Sequence, residues 1–364
     1  MNILVLSHAL YDTAPGSRFR LEQWARYLEN DGFRFTFVPF EDEVLHQVLY
    51  TPRNYVRKAT SLLKASMRRL ARIRSVREFD LVFIHREAAM VGPAVVESLI
   101  ARTGVPIVYD FDDPIWLRYR SPNNALFAWL KWQSKTQQIC RMATSVVVGN
   151  RLLAGWAAPH SRKVDVVPST VDLASYPAKP EERVGPTVTL GWTGSHSTLP
   201  FLDIVMGTLR KLANRHPFEF LVISHTDKYA VAGFPTRVVS KRWNAATEAT
   251  DLHAMDVGLA PFPDTGWTPW RCHGKVLQYM AAGIPTVASR IGILPDYIQD
   301  GENGFLANTD DEWFEKTSTL IGDAGLRRRM GLKGRKTIED RYSAQVWIPK
   351  LREIFTEAAA RRGA

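Results

Sequence analysis

The sequence contains very little cysteine and no long apolar segment. Cys140 and Cys272 are the only cysteines among its 364 residues, and they lie far apart in the chain. This count excludes a disulfide framework and a cysteine-based zinc site, and it fits a reducing compartment. The longest apolar runs fall far short of the roughly 20 residues that a membrane-spanning helix needs. Residues 1–8 lack the basic start and the cleavage site of a signal peptide, so we interpret them as a buried strand and expect a cytoplasmic protein.

Acidic residues are outnumbered by basic ones. The chain has 47 Lys and Arg against 37 Asp and Glu, a formal net charge of +10 and an isoelectric point near 9.6. Such a charge favours an anionic partner, which can be nucleic acid, a membrane surface or a phosphorylated substrate. A length of 364 residues predicts two domains, and a hydrophobic content of 45% is typical of a globular protein.

Acidic residues are absent altogether from residues 53–77, which contain nine Lys and Arg. An apolar stripe at helical spacing runs beside three of these bases: Leu63, Met67, Leu70 and Ile73 accompany Lys64, Arg68 and Arg72. A basic amphipathic helix of this kind fits an anionic bilayer surface. Nucleic acid is the weaker interpretation, because no known nucleic-acid-binding motif accompanies the charge. A merely solvated helix face stays open as the alternative.

Two glycine-containing loops each follow a predicted strand and precede a predicted helix. The first covers residues 14–20 after a strand over 3–6, and the second covers residues 191–198 after a strand over 187–190. Both loops place backbone N–H groups at the carboxyl end of a strand, which favours a phosphate. No G-x-G-x-x-G motif occurs, so an ordinary dinucleotide site is not predicted. A tight turn with exposed arginines and a helix cap at Ser195 are the open alternatives.

Polar segments also follow the next two strands of the first half. Strands over residues 81–84 and 106–109 are followed by the polar segments 85–87 and 110–113. Ligands of open parallel sheets bind at the carboxyl ends of the strands, so we expect these segments to lie at a ligand site. The aspartates of the second segment also suit the capping of the next turn.

One stretch of the second half combines a basic loop, a short helix and a strand. The helix over residues 276–282 ends at Gly283, and an apolar strand over 286–288 follows. The first turn of a helix has unpaired N–H groups at the positive end of its dipole and favours an anion. Arg271 and Lys275 add two positive charges at that end, and charge-assisted contacts to phosphate are strong. We therefore predict a phosphate site, with ordinary surface charges as the alternative.

This stretch resembles a known family. Residues 275–289 read Lys-Val-Leu-Gln-Tyr-Met-Ala-Ala-Gly-Ile-Pro-Thr-Val-Ala-Ser, which is similar to the signature helix of family-four glycosyltransferases. The family pattern has two glutamates that would fall near Trp270 and at Gln278, so both acids are absent here. The match is closer to a subgroup with a Trp-Thr pair and a basic-Cys pair before the helix, which Trp267-Thr268 and Arg271-Cys272 fit. The resemblance covers nearly the entire chain.

The resemblance implies the GT-B fold, an α/β fold with two doubly wound Rossmann-like domains facing a central cleft. We expect an N-terminal acceptor-side domain over residues 1–176, a linker over 177–186 and a donor-nucleotide-binding domain over 187–340. A C-terminal crossover helix over residues 341–364 is expected to pack back on the N-terminal domain.

The resemblance also implies a function and assigns residues to it. The expected enzyme is a retaining glycosyltransferase of the hexosyltransferase type, which uses a UDP- or GDP-linked sugar and needs neither a cofactor nor a metal. The acceptor is a saccharide or a lipid-linked saccharide, in polysaccharide or glycolipid biosynthesis, and no nucleic acid is expected. The implied catalytic residues are Arg271, Lys275 and Asp112. The implied donor-binding residues are Gly191, Thr193, Gly194, Ser195, Trp243, Cys272, His273, Gly274 and Gln278, and the acceptor or phosphate loop contains Gly16, Ser17, Arg18 and Arg20.

Two other functions stay open. A nucleotide-sugar 2-epimerase shares the fold and would release an epimerised nucleotide sugar without any acceptor. A membrane- or nucleic-acid-binding protein that has lost catalysis is the second, because both family glutamates are absent. For all three functions we expect a cytoplasmic protein, with peripheral contact to the inner face of a membrane through residues 53–77 as the accompanying hypothesis.

Overall fold

The computed structural model describes residues 1–49, 51, 53–117, 132–180 and 187–362, so residues 181–186 of the predicted linker lie outside the described part. The chain divides into two compact units. The first unit contains Met1–Ser169, Trp270–Cys272 and Trp347–Ala364. The second contains Thr170–Pro269 and His273–Val346. The structure thus divides the chain a few residues before the expected boundary at 176, and it groups three residues of the basic loop with the first unit.

The first unit is built on a parallel sheet. Its described strands are β1 (Asn2–Ser7), β2 (Arg34–Pro39), β3 (Leu81–His85), β4 (Ile107–Phe111), β5 (Ser145–Val148) and β6 (Val164–Val166). They are arranged in the order β2-β1-β3-β4-β5-β6. Strands β3, β4 and β5 are buried along their whole length, as is usual for parallel strands whose two faces are both covered.

Helices cover this sheet and complete the core of the first unit. They are α1 (Pro15–Ser17), α2 (Gln23–Leu28), α3 (Glu43–Leu49), α4 (Tyr55–Arg72), α5 (Val95–Ala101), α6 (Lys135–Met142) and α7 (Arg151–Ala157). The C-terminal segment adds Phe355, whose ring packs against the rings of Phe33, Phe35 and Phe83 at centroid distances of 5.7–6.4 Å. This segment therefore contributes to the core of the first unit.

The second unit contains another parallel sheet. Its described strands are β7 (Val188–Thr193), β8 (Phe218–Ser224), β9 (Val238–Arg242), β10 (Val257–Ala260), β11 (Thr286–Ser289) and β12 (Phe305–Ala307). They are arranged in the order β12-β11-β10-β7-β8-β9, which is the strand order of a Rossmann fold. The predicted α/β architecture with two doubly wound sheets is confirmed.

The helices of the second unit follow the same alternation. They are α8 (Asp203–Ala213), α9 (Glu248–Leu252), α10 (Gly274–Ala281), α11 (Leu294–Tyr297), α12 (Asp310–Gly322), α13 (Ala324–Thr337) and α14 (Ala344–Ala359), the last of which continues into the C-terminal segment. Helix α10 begins two residues earlier than predicted. It ends as predicted before Gly283, whose φ of +74° is the left-handed conformation that favours glycine after a helix.

Two strands and one helix boundary differ from the sequence analysis. Strands β2 and β12 were not predicted, and each forms an edge of its sheet. The helix predicted after the first glycine loop is irregular, since Arg20 has non-helical dihedral angles, α2 itself covers only Gln23–Leu28, and the last turn tightens over Glu29–Asp31. Gly32 then ends the turn with a φ of +83°. Across the described residues, every helix is too short or too polar to cross a bilayer.

Candidate functional site

The strand order of each sheet locates a ligand-binding position. In the first unit β1 lies between β2 and β3, so the chain adds β2 on one side of β1 and all later strands on the other side. The strand order therefore changes direction between β1 and β3, although the strands are parallel. In the second unit the same reversal occurs between β7 and β10. Ligands of open α/β sheets bind outside the carboxyl ends of the strands at such points. The residues that follow β1, β3, β7 and β10 are therefore candidate ligand-binding residues.

A buried ion-pair cluster lies at this position in the first unit. Arg20 and Asp110 are fully buried, and Arg20 Nε lies 2.9 Å from Asp110 Oδ2. His85 Nδ1 lies 2.7 Å from the same carboxylate oxygen. Burial by itself raises the pKa of Asp110, but the Arg20 guanidinium and His85 outweigh it and hold that pKa below its usual range. Asp110 is therefore an anion that binds two basic side chains.

A second group of charges adjoins the first. Arg86 donates to Asp112 Oδ1 at 2.8 Å and to Asp113 Oδ2 at 2.7 Å. Arg271 Nε donates to the other oxygen of Asp113 at 3.2 Å. Burial raises the pKa of Asp112 on its own, but the Arg86 charge lowers it well below the ordinary value. Arg86 has a φ of +64°, an uncommon backbone conformation that often accompanies a functional constraint.

Gly16 leaves room for this arrangement. A Cβ atom at Gly16 would lie only 2.6 Å from Arg86 Nη2 and 3.0 Å from Asp112 Oδ2. Close approach of the glycine loop to the charged pair therefore requires the absence of a side chain. The neighbouring Ser17 is 4% exposed, and its Oγ has no hydrogen-bond partner within the described part of the chain. The Nε2 atom of His85 is also buried and has no hydrogen-bond partner within this described part.

Cys272 is a packing residue. Its Sγ lies 3.4 Å from the carbonyl oxygen of Asp112, and a Cβ atom at Gly149 would lie 2.3 Å from this sulfur. Burial raises the pKa of Cys272 to about 12, so the thiol stays protonated and is a poor nucleophile. Asn150 donates to the carbonyl oxygen of Trp270 at 2.8 Å. These contacts explain why Trp270–Cys272 groups with the first unit.

Two arginines of the predicted phosphate loop lie in different environments. Arg18 pairs with Asp12 at 2.8 Å, and its side chain is 17% exposed. Arg20, which the sequence analysis assigned to the acceptor or phosphate loop, has its guanidinium inside the protein and donates to Asp110 and to the carbonyl oxygen of Val167. The alternative of a tight turn with exposed arginines is therefore wrong for Arg20, because the buried carboxylate of Asp110 neutralises its charge.

The glycine loop of the second unit follows β7 as predicted. Gly191 packs under Met255, since a Cβ atom there would lie 2.1 Å from Met255 Cγ. The N–H of Thr193 donates to the hydroxyl of Tyr279 at 2.7 Å, which ties the end of β7 to helix α10. Ser195 is exposed at the start of the loop that leads to α8. The loop is therefore anchored at its base, with Ser195 and Ser197 exposed and Thr193 and Thr198 buried.

Lys275 lies against aromatic rings in the first turn of α10. Its Nζ is 4.1 Å from the centroid of Trp192 and 5.4 Å from that of Phe262, and this atom is buried. His273, with a left-handed φ of +46°, directs the chain into α10, and its ring lies 4.3 Å from that of Phe262. Gly274 is the first helical residue. The two predicted phosphate cations thus have different neighbours, since Arg271 pairs with Asp113 and Lys275 contacts rings.

Gln278 is part of a buried polar group. Its Nε2 donates to the hydroxyl of Tyr176 at 2.7 Å and to Glu248 Oε1 at 2.8 Å. A carboxylate is therefore present within hydrogen-bond distance of the position where the family pattern has a glutamate. Trp243 follows the edge strand β9 and is 37% exposed. The roles assigned to these residues stay predictions.

The sequence analysis did not assign a role to several residues of these clusters. His85, Arg86 and Asp110 were recognised only as polar residues after a strand, and their position at a strand end was the available signal. Tyr176 and Glu248 had no such signal, because they reach Gln278 from segments 102 and 30 residues away. No group of three or more potential metal ligands occurs within the described ranges of the chain.

Comparison with known proteins agrees with this architecture. Residues 189–323 match the family model described as glycosyl transferases group 1. N-acetyl-alpha-D-glucosaminyl L-malate synthase of Bacillus anthracis is 27% identical over 82 residues, which are 22% of this chain and 22% of that protein. The aligned segment thus spans about a fifth of the length of this relative.

Solved structures match over almost the whole chain. Sucrose-phosphate synthase from Thermosynechococcus elongatus has a TM-score of 0.68 at 12% identity, with 99% of each chain covered. Anabaena HepE in complex with UDP-glucose has a TM-score of 0.64 at 16% identity, with 98% of this chain and 100% of that chain covered. At such identities the likeness concerns the fold alone. The chain has the GT-B fold, and residues 189–323 of it are similar to the glycosyl transferases group 1 model.

Proposed function

We propose that the protein is a retaining glycosyltransferase that moves a hexosyl group from a nucleoside-diphosphate sugar to an acceptor. The observation that carries the proposal is the match of residues 189–323 to the glycosyl transferases group 1 model. This range contains both the glycine loop after β7 and helix α10. Of the two donor nucleotides that the sequence analysis left open, UDP is favoured, since the structurally similar HepE was solved with UDP-glucose.

The second unit offers groups that suit a nucleotide sugar. The hydrogen-bond donors of the loop over residues 191–198 and of the first turn of α10 suit the diphosphate, because backbone N–H groups and a helix N-terminus attract anions. Lys275 adds a cation that aromatic rings hold in position. Gln278 Nε2 lies 2.8 Å from Glu248 Oε1, and the two side chains together present an amide and a carboxylate to the ribose hydroxyls.

The first unit offers groups that suit the transferred sugar and the acceptor. In this proposal Gly16, Ser17 and Asp112 face the sugar, and the unsatisfied atoms Ser17 Oγ and His85 Nε2 bind hydroxyl groups. Breaking the glycosidic bond leaves negative charge on the diphosphate. Preorganised cations and N–H groups stabilise such charge, and Arg271 is the half-exposed cation of this unit that we assign to it.

The acceptor in this proposal is a lipid-linked saccharide, and the product is a polysaccharide or glycolipid precursor. The protein then works peripherally at the anionic inner face of a membrane. The support is the segment over residues 53–77, which contains nine bases and no acid. Each base near such a surface contributes attraction that salt screens.

A thermal-shift screen with UDP, GDP, ADP and their sugars tests the proposal. We expect UDP or a UDP-sugar to raise the melting temperature, because a ligand that binds only the folded state stabilises it. Incubation with the stabilising donor should then yield the free nucleoside diphosphate, slowly with water and faster with a saccharide acceptor. Release of an epimerised nucleotide sugar without an acceptor would favour the 2-epimerase instead. Tight binding without any turnover would indicate a protein that has lost catalysis.

A further inference from the structure

Helix α4 buries one side in the first unit and leaves its opposite side in solvent. The buried side consists of Lys58, Ser61, Leu62, Ala65 and Arg69. Arg69 fixes the helix to the sheet, since its guanidinium donates to the carbonyl oxygen of Val38 at 2.8 Å and to that of Ser7 at 3.1 Å. The helix is therefore attached to the unit through a side that does not contain Leu63, Met67 and Leu70.

Leu63, Met67 and Leu70 of the predicted stripe lie on the solvent side, whereas Ile73, which follows the helix, packs against the core. Val56, Leu63, Met67 and Leu70 are 79%, 62%, 61% and 42% exposed, and we call these four residues the outer face of α4. Their spacings of seven, four and three positions put them on one line along the helix. A soluble surface carries scattered apolar side chains, but a continuous line on one helix indicates an interaction site.

Positive charge borders the outer face. Arg57, Lys64 and Arg68 lie along one flank and are exposed, and α4 contains no acidic residue. Arg68 is bonded to the exposed Asp42, an arrangement that solvent weakens. Of the nine bases in residues 53–77, only Lys58 and Arg69 are buried. The other seven bases are exposed or half-buried, and Arg57, Lys64 and Arg68 among them flank the apolar line.

We propose that the outer face of α4 inserts into the interface of an anionic bilayer, with the helix lying parallel to the membrane plane. The four apolar side chains enter the boundary between headgroups and acyl chains, and the flanking bases contact the anionic headgroups. With 18 residues, α4 is about 27 Å long, enough for all four side chains to be immersed together. The inference rests on the membrane partner in the proposed function and requires no particular sugar chemistry.

The charge and apolarity of the outer face favour an anionic bilayer over a second copy of the chain or a nucleic acid. A second copy of the chain would present the same positive flank and repel it. A nucleic acid would use the bases but would leave the apolar line exposed to water. An anionic bilayer satisfies both features, because headgroups meet the bases and acyl chains meet the apolar side chains.

Co-sedimentation with vesicles tests the proposal. The intact protein is mixed with vesicles of phosphatidylcholine alone or of phosphatidylcholine and phosphatidylglycerol. We expect binding only to the anionic vesicles, and a loss of at least about tenfold in affinity for a Leu63→Ser/Met67→Ser/Leu70→Ser variant. A Leu332→Ser/Val346→Ser variant is the matched control, since these side chains are 57% and 44% exposed on helices of the second unit. It should bind like the wild type.

A dye at position 67 reports insertion directly. Both native cysteines are buried, so a Met67→Cys variant can be labelled selectively with an environment-sensitive fluorophore. Its emission should shift to the blue with anionic vesicles, whereas a Leu332→Cys label should not respond. Part of the binding should persist at about 0.15 M salt, because apolar insertion is not screened.

Several outcomes would overturn the inference. These are equal vesicle binding by the serine variant and the wild type, an unchanged signal at position 67, and vesicle binding that salt abolishes entirely. Self-association, or RNA binding that the serine variant loses, would assign the outer face to another occupant. UDP binding by the same variants separates the two proposals. UDP binding without vesicle binding would contradict only the membrane inference. Vesicle binding without UDP binding would contradict only the proposed glycosyl transfer.

Discussion

Two charged side chains of opposite sign, Arg20 and Asp110, are buried together in the first unit. Arg20 and Asp110 have side chains that are completely buried. The desolvation cost of each charge is offset by the other and by hydrogen bonds to His85 and to a backbone carbonyl. Such a group tolerates loss of one member poorly.

An Asp110→Asn substitution should lower the free energy of unfolding by about 3–5 kcal/mol, because it leaves the Arg20 guanidinium buried and uncompensated. Urea unfolding followed by circular dichroism measures the change. Asp340→Asn is the control, since Asp340 belongs to the exposed pair with Lys336 and its side chain is 53% exposed. It should cost less than about 1 kcal/mol. Equal small losses in the two variants would contradict the buried-pair argument.

Glu22 predicts a pH dependence of stability. Burial raises its pKa from 4.5 to about 7, assisted by the carboxylate of Asp12 and opposed by the Asp12 N–H and the charges of Arg18 and Arg26. At a pH between 4.5 and about 7, Glu22 keeps its proton in the folded state but has lost it in the unfolded state. Stability therefore falls as the pH rises through this window and levels off above it.

A Glu22→Gln substitution removes this titration. On going from about pH 5 to about pH 8, the variant should gain about 1–3 kcal/mol of unfolding free energy relative to the wild type. Urea unfolding at both pH values gives the difference, with the exposed Glu29→Gln as the control. A difference that is the same at both pH values would show that Glu22 titrates normally.

Lys275 should contribute to diphosphate binding. Replacing it by alanine removes the cation in the first turn of α10, so the affinity for UDP should fall by about 1.5–3 kcal/mol, the value of a charged hydrogen bond. Isothermal titration calorimetry measures the affinity, and the exposed Lys333→Ala is the control. Unchanged affinity in the Lys275→Ala variant, together with unchanged affinity in Arg271→Ala, would locate the phosphate site elsewhere.

At the scale of elements, helix α13 approaches the end of α10 through two glycines. A Cβ atom at Gly331 would lie 2.0 Å from the carbonyl oxygen of Gly283. Backbone cannot move aside as a flexible side chain can, so this contact requires glycine at position 331. The position of α13 on the second unit therefore depends on the absence of a side chain at Gly331.

A Gly331→Ala substitution should destabilise the protein by about 2 kcal/mol or more, because it forces the two helices apart. Gly207→Ala is the matched control: it also lies within a helix, and a Cβ atom there meets nothing within 4 Å. That change should be neutral or should stabilise α8 by up to about 1 kcal/mol. Thermal unfolding compares the two variants, and a smaller loss for Gly331→Ala than for Gly207→Ala would refute the close-contact argument.

At the scale of the molecule, glycosyl transfer should proceed in EDTA at an unchanged rate. The aspartates most suited to a metal, Asp110, Asp112 and Asp113, each accept hydrogen bonds from an arginine. The charge on the diphosphate would then be stabilised by cationic side chains and N–H groups. Release of UDP from the donor sugar, with and without EDTA, measures this. A loss of activity that Mg²⁺ or Mn²⁺ restores would contradict this prediction and would indicate a metal site at the three aspartates.

Local patterns in the sequence indicated strands followed by helices in both halves, because buried strands and amphipathic helices have distinct periodicities. The two doubly wound sheets themselves were what the family resemblance implied. The end of α10 was predictable because only a residue that tolerates a positive φ suits the position of Gly283. The glycine loops after β1 and β7 were likewise visible as strand, turn and helix in succession.

Only the tertiary structure decided which charges and apolar residues face water. Arg20 is buried because its partner Asp110 comes from 90 residues along the chain, and Gln278 meets a tyrosine from 102 residues away. The periodicity of α4 showed an apolar stripe, but not that the helix would pack through its other side. A sequence pattern specifies which residues share a face, whereas the neighbours of that face are brought together only when distant segments fold onto one another.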